Sequence, residues 1–407
     1  MRILVVTNLF PPVVQGGYEV ECADVVARLR SEHEVLVLTS AHRRGEAAEG
    51  EPGVARELPF LRHVKRDSFA APFTTLRAAR LTRGTLHSFR PDFVFVWNGS
   101  QIPQAALRIL ADTGLPLAYR VCEHWFGRLY EGDRFMRHLV PGERGPRGLW
   151  AALMRAVNRL PSLRLDPSRR SRAAISWNSD ALRRLTSVPD SIEPVLERTI
   201  HPVTSQSVRF EGLERRPAER TTIAFMGAVR DRKGPDVACR ALALLRSEHG
   251  IEARLVLAGP VENRKRHELE ALARQLGLDA EVEIPGRLDA QGLGELLSGA
   301  HALVVPSVWE EPFGLVCLEG ALARVPLVAS RVGGIPEFLS DREHALLFPP
   351  GDAEACAAAL AETLSDADAT ARRVARAFER GRELSLEHYL EQSERFVTDA
   401  MAALTRA

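Results

Sequence analysis

Short apolar, β-branched runs alternate with helix-length amphipathic stretches along this chain, and that alternation restricts its fold more than any other feature. Runs at 3–7, 35–39, 93–97, 117–121 and 174–177 are separated by helical patterns, clearest at 18–30, 75–89 and 101–111. Strand following helix following strand predicts a parallel α/β sheet. A second series, 222–226, 254–258, 280–284, 302–306, 327–330 and 346–348, repeats the arrangement, so two doubly wound, Rossmann-like domains in tandem are expected. The stretch 202–220 is polar, carries two prolines and has no clear periodicity, which places the linker there. The expected division is a first domain at 1–205 with an insertion near 126–172, a second at 206–385, and a closing helix at 386–407. Two such domains facing across a cleft would turn the carboxyl ends of both strand sets toward one crevice, where open α/β sheets bind ligands.

The chain has 407 residues, room for two or three domains at roughly 100–200 residues each. Its 45% hydrophobic and 26% charged residues exclude a disordered or fibrous chain. Lys+Arg 54 against Asp+Glu 53 leaves a formal charge of +1, without the basic excess of a dedicated nucleic-acid binder. Only Lys65, Lys233 and Lys265 are lysines; the arginine and alanine richness reads as a GC-rich, bacterial background. The five cysteines, Cys22, Cys122, Cys239, Cys317 and Cys356, are scattered and form no CxxC pair, so neither a disulfide framework nor a zinc knuckle is expected. The first apolar run, 3–6, is far too short for a signal-peptide core or a span of about 20 residues, and no later one is long enough. A cytoplasmic protein is expected, with peripheral attachment to the inner membrane face left open.

Five strand-end loops attract attention. After the first run, Gly16 and Gly17 sit just before a helix, where backbone N–H groups can face an anion or simply form a tight turn. The run at 117–121 leads into Glu123 and His124, a carboxylate beside an imidazole, with a structural histidine as the plainer reading. The run at 222–226 leads into Gly227-Ala228-Val229-Arg230-Asp231-Arg232-Lys233-Gly234, a glycine-bounded loop with three cations that suits a diphosphate; a solvated turn is the alternative. A lysine there is a compact point charge in a chain that otherwise uses arginine. The fourth stretch runs from Glu310 and Glu311 into a helix starting near Gly314, with Leu315, Leu318 and Leu322 as an apolar stripe and Glu319 at the i+4 place in it. An unpartnered buried carboxylate costs several kcal/mol, so Glu319 needs ligand hydroxyls or an internal arginine. Gly333-Gly334-Ile335-Pro336-Glu337 repeats the glycine-before-helix arrangement.

Taken together these elements resemble, in order and spacing over nearly the whole chain, the retaining glycosyltransferases of family 4. The most specific block is Glu311 with Glu319 eight positions on, similar to that family's E-x7-E element, followed by the run from Pro326 to Glu337. The resemblance implies the GT-B fold, with a nucleoside-diphosphate-sugar donor held mainly by the second domain and the acceptor mainly by the first. It implies that Glu319 binds the donor ribose, Glu311 the transferred sugar and the backbone amides of Leu315 and Val316 the diphosphate, with Phe313 and Gly314 among the donor-binding residues. Lys233 would neutralise that diphosphate, with Gly227 shaping its loop and Gly16 and Gly17 approaching it from the first domain. The family's arginine directly after the loop glycine is Ala228 here, so its part falls to Arg230. His124 matches the histidine near the transferred sugar, and the catalytic set is His124, Glu311, Arg230 and Lys233. The closing helix is expected to pack back on the first domain.

Breaking a sugar–phosphate bond leaves negative charge on the departing diphosphate, which pre-placed cations and amides stabilise. The resemblance implies that no metal or other cofactor is needed, and the only Asp-x-Asp, Asp366 with Asp368, lies far from any strand end. The insertion at 126–172 carries an amphipathic pattern at Leu149, Trp150, Leu153, Met154, Val157 and Leu160. Docking on the protein's own core is the main reading; an acceptor lid, a homodimer contact and a peripheral membrane surface are the others. The expected function is a retaining, metal-independent glycosyltransferase with a glycan, lipid-linked or small-molecule acceptor. A silent nucleotide-sugar-binding protein and a GT-B epimerase or phosphorylase compete with it.

Overall fold

The computed structural model describes residues 1–43, 45, 51–61, 69–140, 148–161 and 163–406. They divide into two units, Met1–His201 with Glu387–Ala407, and Pro202–Leu386.

The first unit runs β1 (Arg2–Thr7), α1 (Gly17–Leu29), β2 (Glu34–Ser40), β3 (Val54–Leu58), α2 (Ala71–Phe89), β4 (Phe93–Asn98), α3 (Ala105–Asp112), β5 (Leu117–Val121), α4 (Leu149–Val157), β6 (Ser171–Trp177), α5 (Asp180–Leu185) and β7 (Ile192–Thr199). Its seven strands are all parallel in the order β3-β2-β1-β4-β5-β6-β7. β4 and β5 are buried along their whole length, as their continuous apolar sequences require of strands covered on both faces. The order reverses between β1 and β4, where Leu4 pairs with Val94, and ligands of such sheets bind beyond a reversal of this kind. The outer strands β3 and β7 were not anticipated, because VAREL and IEPVLERT mix charges and a proline into the pattern, as edge strands do.

Phe126, Phe135, Met136 and Met154 are fully buried in the first unit's core, so the segment expected as an insertion docks on that core. Residues 141–147 of that segment lie outside the described residues. The last helix, Leu386–Thr405, completes the same unit. Its Tyr389 hydroxyl donates to Glu21 Oε1 at 2.6 Å, the oxygen that also receives Arg120 Nη2 at 2.6 Å, and all three side chains are buried. Arg120 also donates to Ser176 and to the carbonyls of Trp177 and Ile200, which answers its charge on every side. Removing one partner from such a cluster would strand a buried charge.

The second unit runs α6 (Ser205–Val208), β8 (Thr222–Met226), α7 (Pro235–His249), β9 (Arg254–Ala258), α8 (Asn263–Gln275), β10 (Val282–Gly286), α9 (Ala290–Gly299), β11 (Ala302–Val305), α10 (Leu315–Leu322), β12 (Leu327–Ser330), α11 (Ile335–Phe338), β13 (Leu346–Phe348), α12 (Ala353–Ser365) and α13 (Ala367–Glu383). The six strands are parallel in the order β10-β9-β8-β11-β12-β13, reversing between β8 and β11. β10 starts at Val282 rather than at 280, because the amides of Glu281 and Val282 are turned onto the Leu278 carbonyl. The stretch expected as an aperiodic linker is held to this unit. The amides of Arg216 and Ala218 donate to the Ser298 and Gly299 carbonyls at 3.0 Å, and the Arg215 guanidinium caps further carbonyls at the end of α9. Asp366 caps α13 by accepting from the Ala369 amide at 2.9 Å, which accounts for it locally. Among the described residues no helix is long and apolar enough to cross a membrane.

Candidate functional site

In the second unit the loops after β8 and β11, the two strands flanking the reversal, press together backbone to backbone. Gly234 has φ +66° and its α-carbon faces the Pro306 carbonyl so closely that a β-carbon has no room. That contact carries Lys233, at the end of a 3-10 turn, to Glu311: Nζ lies 2.6 Å from Oε1. The same carboxylate accepts from the Ser307 hydroxyl and, at 3.0 Å, from the Trp309 indole N–H. Glu311 is 4% exposed. Burial alone would raise its pKa, but the charge and hydrogen bond of Lys233, with those of Ser307 and Trp309, hold the carboxyl below its ordinary range. The outer face of Trp309 carries the Arg232 guanidinium 4.2 Å above its ring, with Lys233 Nζ at 5.6 Å.

Gly314, at φ +93°, opens α10, whose first amides at Leu315 and Val316 have no acceptor within the helix. Phe313 is buried beneath that turn against Phe338, 6.0 Å between rings. Leu318 and Leu322 are in the core, while Glu319 between them is only partly buried. Its carboxylate makes no hydrogen bond or ion pair among the described residues. Burial raises its pKa to about 7, offset a little by the charge of Arg209. The internal salt bridge that would have explained this glutamate away is therefore not formed. The second glycine turn is stapled to the same loop: the Gly333 amide donates to Glu310 Oε2 and the Gly334 amide to the Glu311 carbonyl, both at 2.8 Å. Glu310 thus holds backbone in place, while Glu311 turns toward the cations.

Of the residues expected in this unit, Lys233, Glu311, Gly314, Leu315, Val316 and Glu319 are arranged around one strand-end region. Gly227, at φ +124°, packs its carbonyl against Gly259, which fixes the loop's exit from β8. Arg230 is exposed and its side chain makes no hydrogen bond or ion pair among the described residues; Arg232 is the cation beside Trp309. Ser307 and Trp309 were not anticipated. A signal for them existed, since Ser307, Trp309 and Glu311 stand at alternate positions just after β11, and all three meet at one carboxylate.

In the first unit the glycine loop follows β1. Gly16 is extended (φ −159°), and its amide donates to Glu19 Oε2 at 2.9 Å while that of Gln15 donates to Glu19 Oε1 at 3.2 Å. The Gly16 amide, expected to face an anion, is thus answered together with that of Gln15 by a side chain of α1 itself. Glu19 is fully buried and its pKa is raised to about 7 by that burial, against the pull of the amides. Tyr18 beside it is pushed well above its ordinary value by burial and by the charges of Glu19 and Glu123, with a hydrogen bond to Asn8 opposing. Gly17 starts α1. His124 opens the 3-10 turn His124–Arg128 after β5, with Nδ1 3.1 Å from the Thr186 hydroxyl, and Gly127 of that turn packs on Thr186 and Ser187. Among the described residues no group of three or more His, Cys, Asp or Glu side chains is placed to hold a metal ion.

The sequence comparisons divide where the structure does. Residues 16–187 match the glycosyl transferase 4-like domain, and residues 211–380 match the glycosyl transferases group 1 domain. The D-inositol 3-phosphate glycosyltransferase of Saccharomonospora viridis is 35% identical over 47% of this chain and 43% of its own length. The chain thus spans less than half of that relative. The glycogen synthase of Mycobacterium tuberculosis is 28% identical over 93% of this chain and 90% of its own. Among solved structures, the sucrose-phosphate synthase of Thermosynechococcus elongatus superposes with a TM-score of 0.71 at 18% identity, covering 99% of both chains. Anabaena HepE, solved with UDP and glucose, gives 0.67 at 16% identity over 98% of this chain and all of that one. These likenesses identify the GT-B fold, and with each unit matching its own glycosyltransferase domain, the chain belongs to the family 4 glycosyltransferases.

Proposed function

We propose that this chain transfers a sugar from a nucleoside-diphosphate sugar to a hydroxyl of a glycan, lipid-linked or small-molecule acceptor, with retention at the anomeric carbon and without a metal. The observation that carries the reading is the Lys233–Glu311 pair at the strand reversal, where a cation for a leaving diphosphate lies against a carboxylate able to accept sugar hydroxyls. The anomeric carbon–oxygen bond breaks with its electron pair leaving on the diphosphate. The acceptor oxygen bonds to the same face and its proton passes to a diphosphate oxygen. Lys233 and the first amides of α10 stabilise the charge that develops; Arg230 is free to join them. His124, held by Thr186, orients the sugar. The five cysteines are buried and unpaired, which suits a reducing bacterial cytoplasm.

Incubating the protein with UDP-, GDP-, ADP- and dTDP-sugars and candidate acceptors should release nucleoside diphosphate only when an acceptor is present. NMR of the product should show the donor's anomeric configuration, and EDTA should leave the rate nearly unchanged. An inverted centre overturns retention, and a rate lost to EDTA and restored by Mg²⁺ overturns the metal-free chemistry. Donor binding with no turnover on any acceptor would mark a silent binding protein.

Glu319 tests the donor end. A carboxylate accepting from ribose hydroxyls is worth roughly 1.5–3 kcal/mol, so Glu319→Ala should weaken donor binding about ten- to a hundredfold in calorimetry. Its folded pKa of about 7 exceeds the ordinary 4.5, so its contribution to stability is present below the ordinary value and lost as pH rises through about 7. Donor binding needs the ionised form and runs the other way, strengthening between about pH 6 and pH 8. Donor affinity untouched by the substitution would remove Glu319 from the site.

A further inference from the structure

Helix α4 has two apolar faces, and only one of them is buried. Ala151 and Met154 enter the core of the first unit. On the opposite side Leu149, Ala152, Leu153 and Ala156, followed in the next turn by Leu160, form a stripe at i, i+3, i+4, i+7 and i+11 that is exposed throughout. Leu149 is 93% exposed. The start of α2 extends the patch: Phe69 is 84% and Phe73 74% exposed, and the Phe69 ring meets that of Trp150 edge-on at 5.1 Å. Isolated exposed leucines are ordinary, but a contiguous aromatic and aliphatic patch marks a surface that something covers.

The charge around the patch selects the occupant. α2 and α4 contain no acidic residue, whereas Arg77 on α2, Arg155 on α4 and Arg159 just after it are exposed and form no ion pair among the described residues. The buried His138 registers the same field: burial, then the charges of Arg137 and Arg155, lowers its pKa. A second copy of this chain paired through the same face would set the arginines of these elements against each other, with no carboxylate on α2 or α4 to meet them. An anionic bilayer satisfies both requirements, taking phenyl and leucyl groups below its headgroups while the guanidinium groups meet phosphate. We propose that the Phe69–Phe73 end of α2 and the outer stripe of α4 seat this protein on an anionic membrane surface. The argument uses the first unit alone and is independent of the chemistry proposed above.

Flotation of the full chain with vesicles of phosphatidylcholine, alone or mixed with phosphatidylglycerol, tests it. The protein should float with the phosphatidylglycerol vesicles, less so in high salt and little with phosphatidylcholine alone. Combining Phe69→Ser, Phe73→Ser and Leu149→Ser should lower the bound fraction about tenfold or more, and Leu185→Ser, an exposed leucine outside the patch, should not. Combining Arg77→Gln, Arg155→Gln and Arg159→Gln, which leaves every apolar side chain in place, should abolish the preference for phosphatidylglycerol. The proposal is overturned if the unaltered protein floats with neither vesicle or if binding is indifferent to both triple variants. It is also overturned if sedimentation velocity shows a dimer that the serine variant disperses.

Discussion

Lys233→Ala is expected to lower turnover about a hundred- to a thousandfold, the scale found when one group that stabilises developing negative charge is removed. The donor Michaelis constant should rise much less, because charge on the diphosphate grows toward the transition state and an ammonium gains most there. The substitution also acts on Glu311, which is 4% exposed and whose carboxylate would keep, among the described residues, Ser307 and Trp309 as partners. In the intact site Lys233 is the largest influence holding the Glu311 pKa down, so the pair's stabilisation is present at neutral pH and lost as pH falls through that depressed value. In the variant the carboxyl titrates higher, and the acid limb of the rate profile should move up in pH with it. Steady-state kinetics across pH decide the matter; a change confined to the Michaelis constant would make Lys233 a binding residue only.

Gly333→Ala should destabilise the second unit by about 2–5 kcal/mol, combining a strained left-handed backbone with overpacking. Gly333 has φ +53°, and a β-carbon on it would meet the Glu311 backbone, with the amide nitrogen at 2.5 Å and the carbonyl oxygen closer still. Relief requires the Glu311 segment to move, and that segment holds the carboxylate against Lys233. Urea unfolding and donor binding should therefore fall together. Stability within about 0.5 kcal/mol of the parent, the range of an ordinary surface change, would refute the packing argument.

The alternation of apolar runs was sufficient to read two parallel sheets, because central strands covered on both faces have to be continuously apolar. The same logic hides β3 and β7, edge strands that admit the exposed Glu57 and Glu193, while Arg56 turns inward to the Phe10 and Pro11 carbonyls. Lys233, Glu311 and Glu319 were legible as types of residue that need a reason to stand at strand ends. What remained hidden was how side chains share backbone donors. Glu19 reads as one more first-turn acid of a helix, yet it occupies the amides of Gln15 and Gly16. Glu310 and Glu311 are neighbours of one type, and only their geometry separates a backbone staple from a carboxylate paired with Lys233. The stretch 202–220 looked aperiodic because it is fixed to α9 by its own amides and one guanidinium, a pattern with no period to detect.

The buried triangle of Glu21, Arg120 and Tyr389 bears on the order of events during synthesis. Its first two members leave the ribosome before any of the second unit is made, whereas Tyr389 follows the whole of that unit. Until then the first unit has its seven strands but lacks the hydroxyl and the Phe396 ring that close one side of its sheet. Domains generally fold in the order in which they are made, yet here the second unit, contiguous from Pro202 to Leu386, can reach its finished form before the first one does. A nascent chain of this protein thus carries an unfinished first unit until the whole of the second unit has been made.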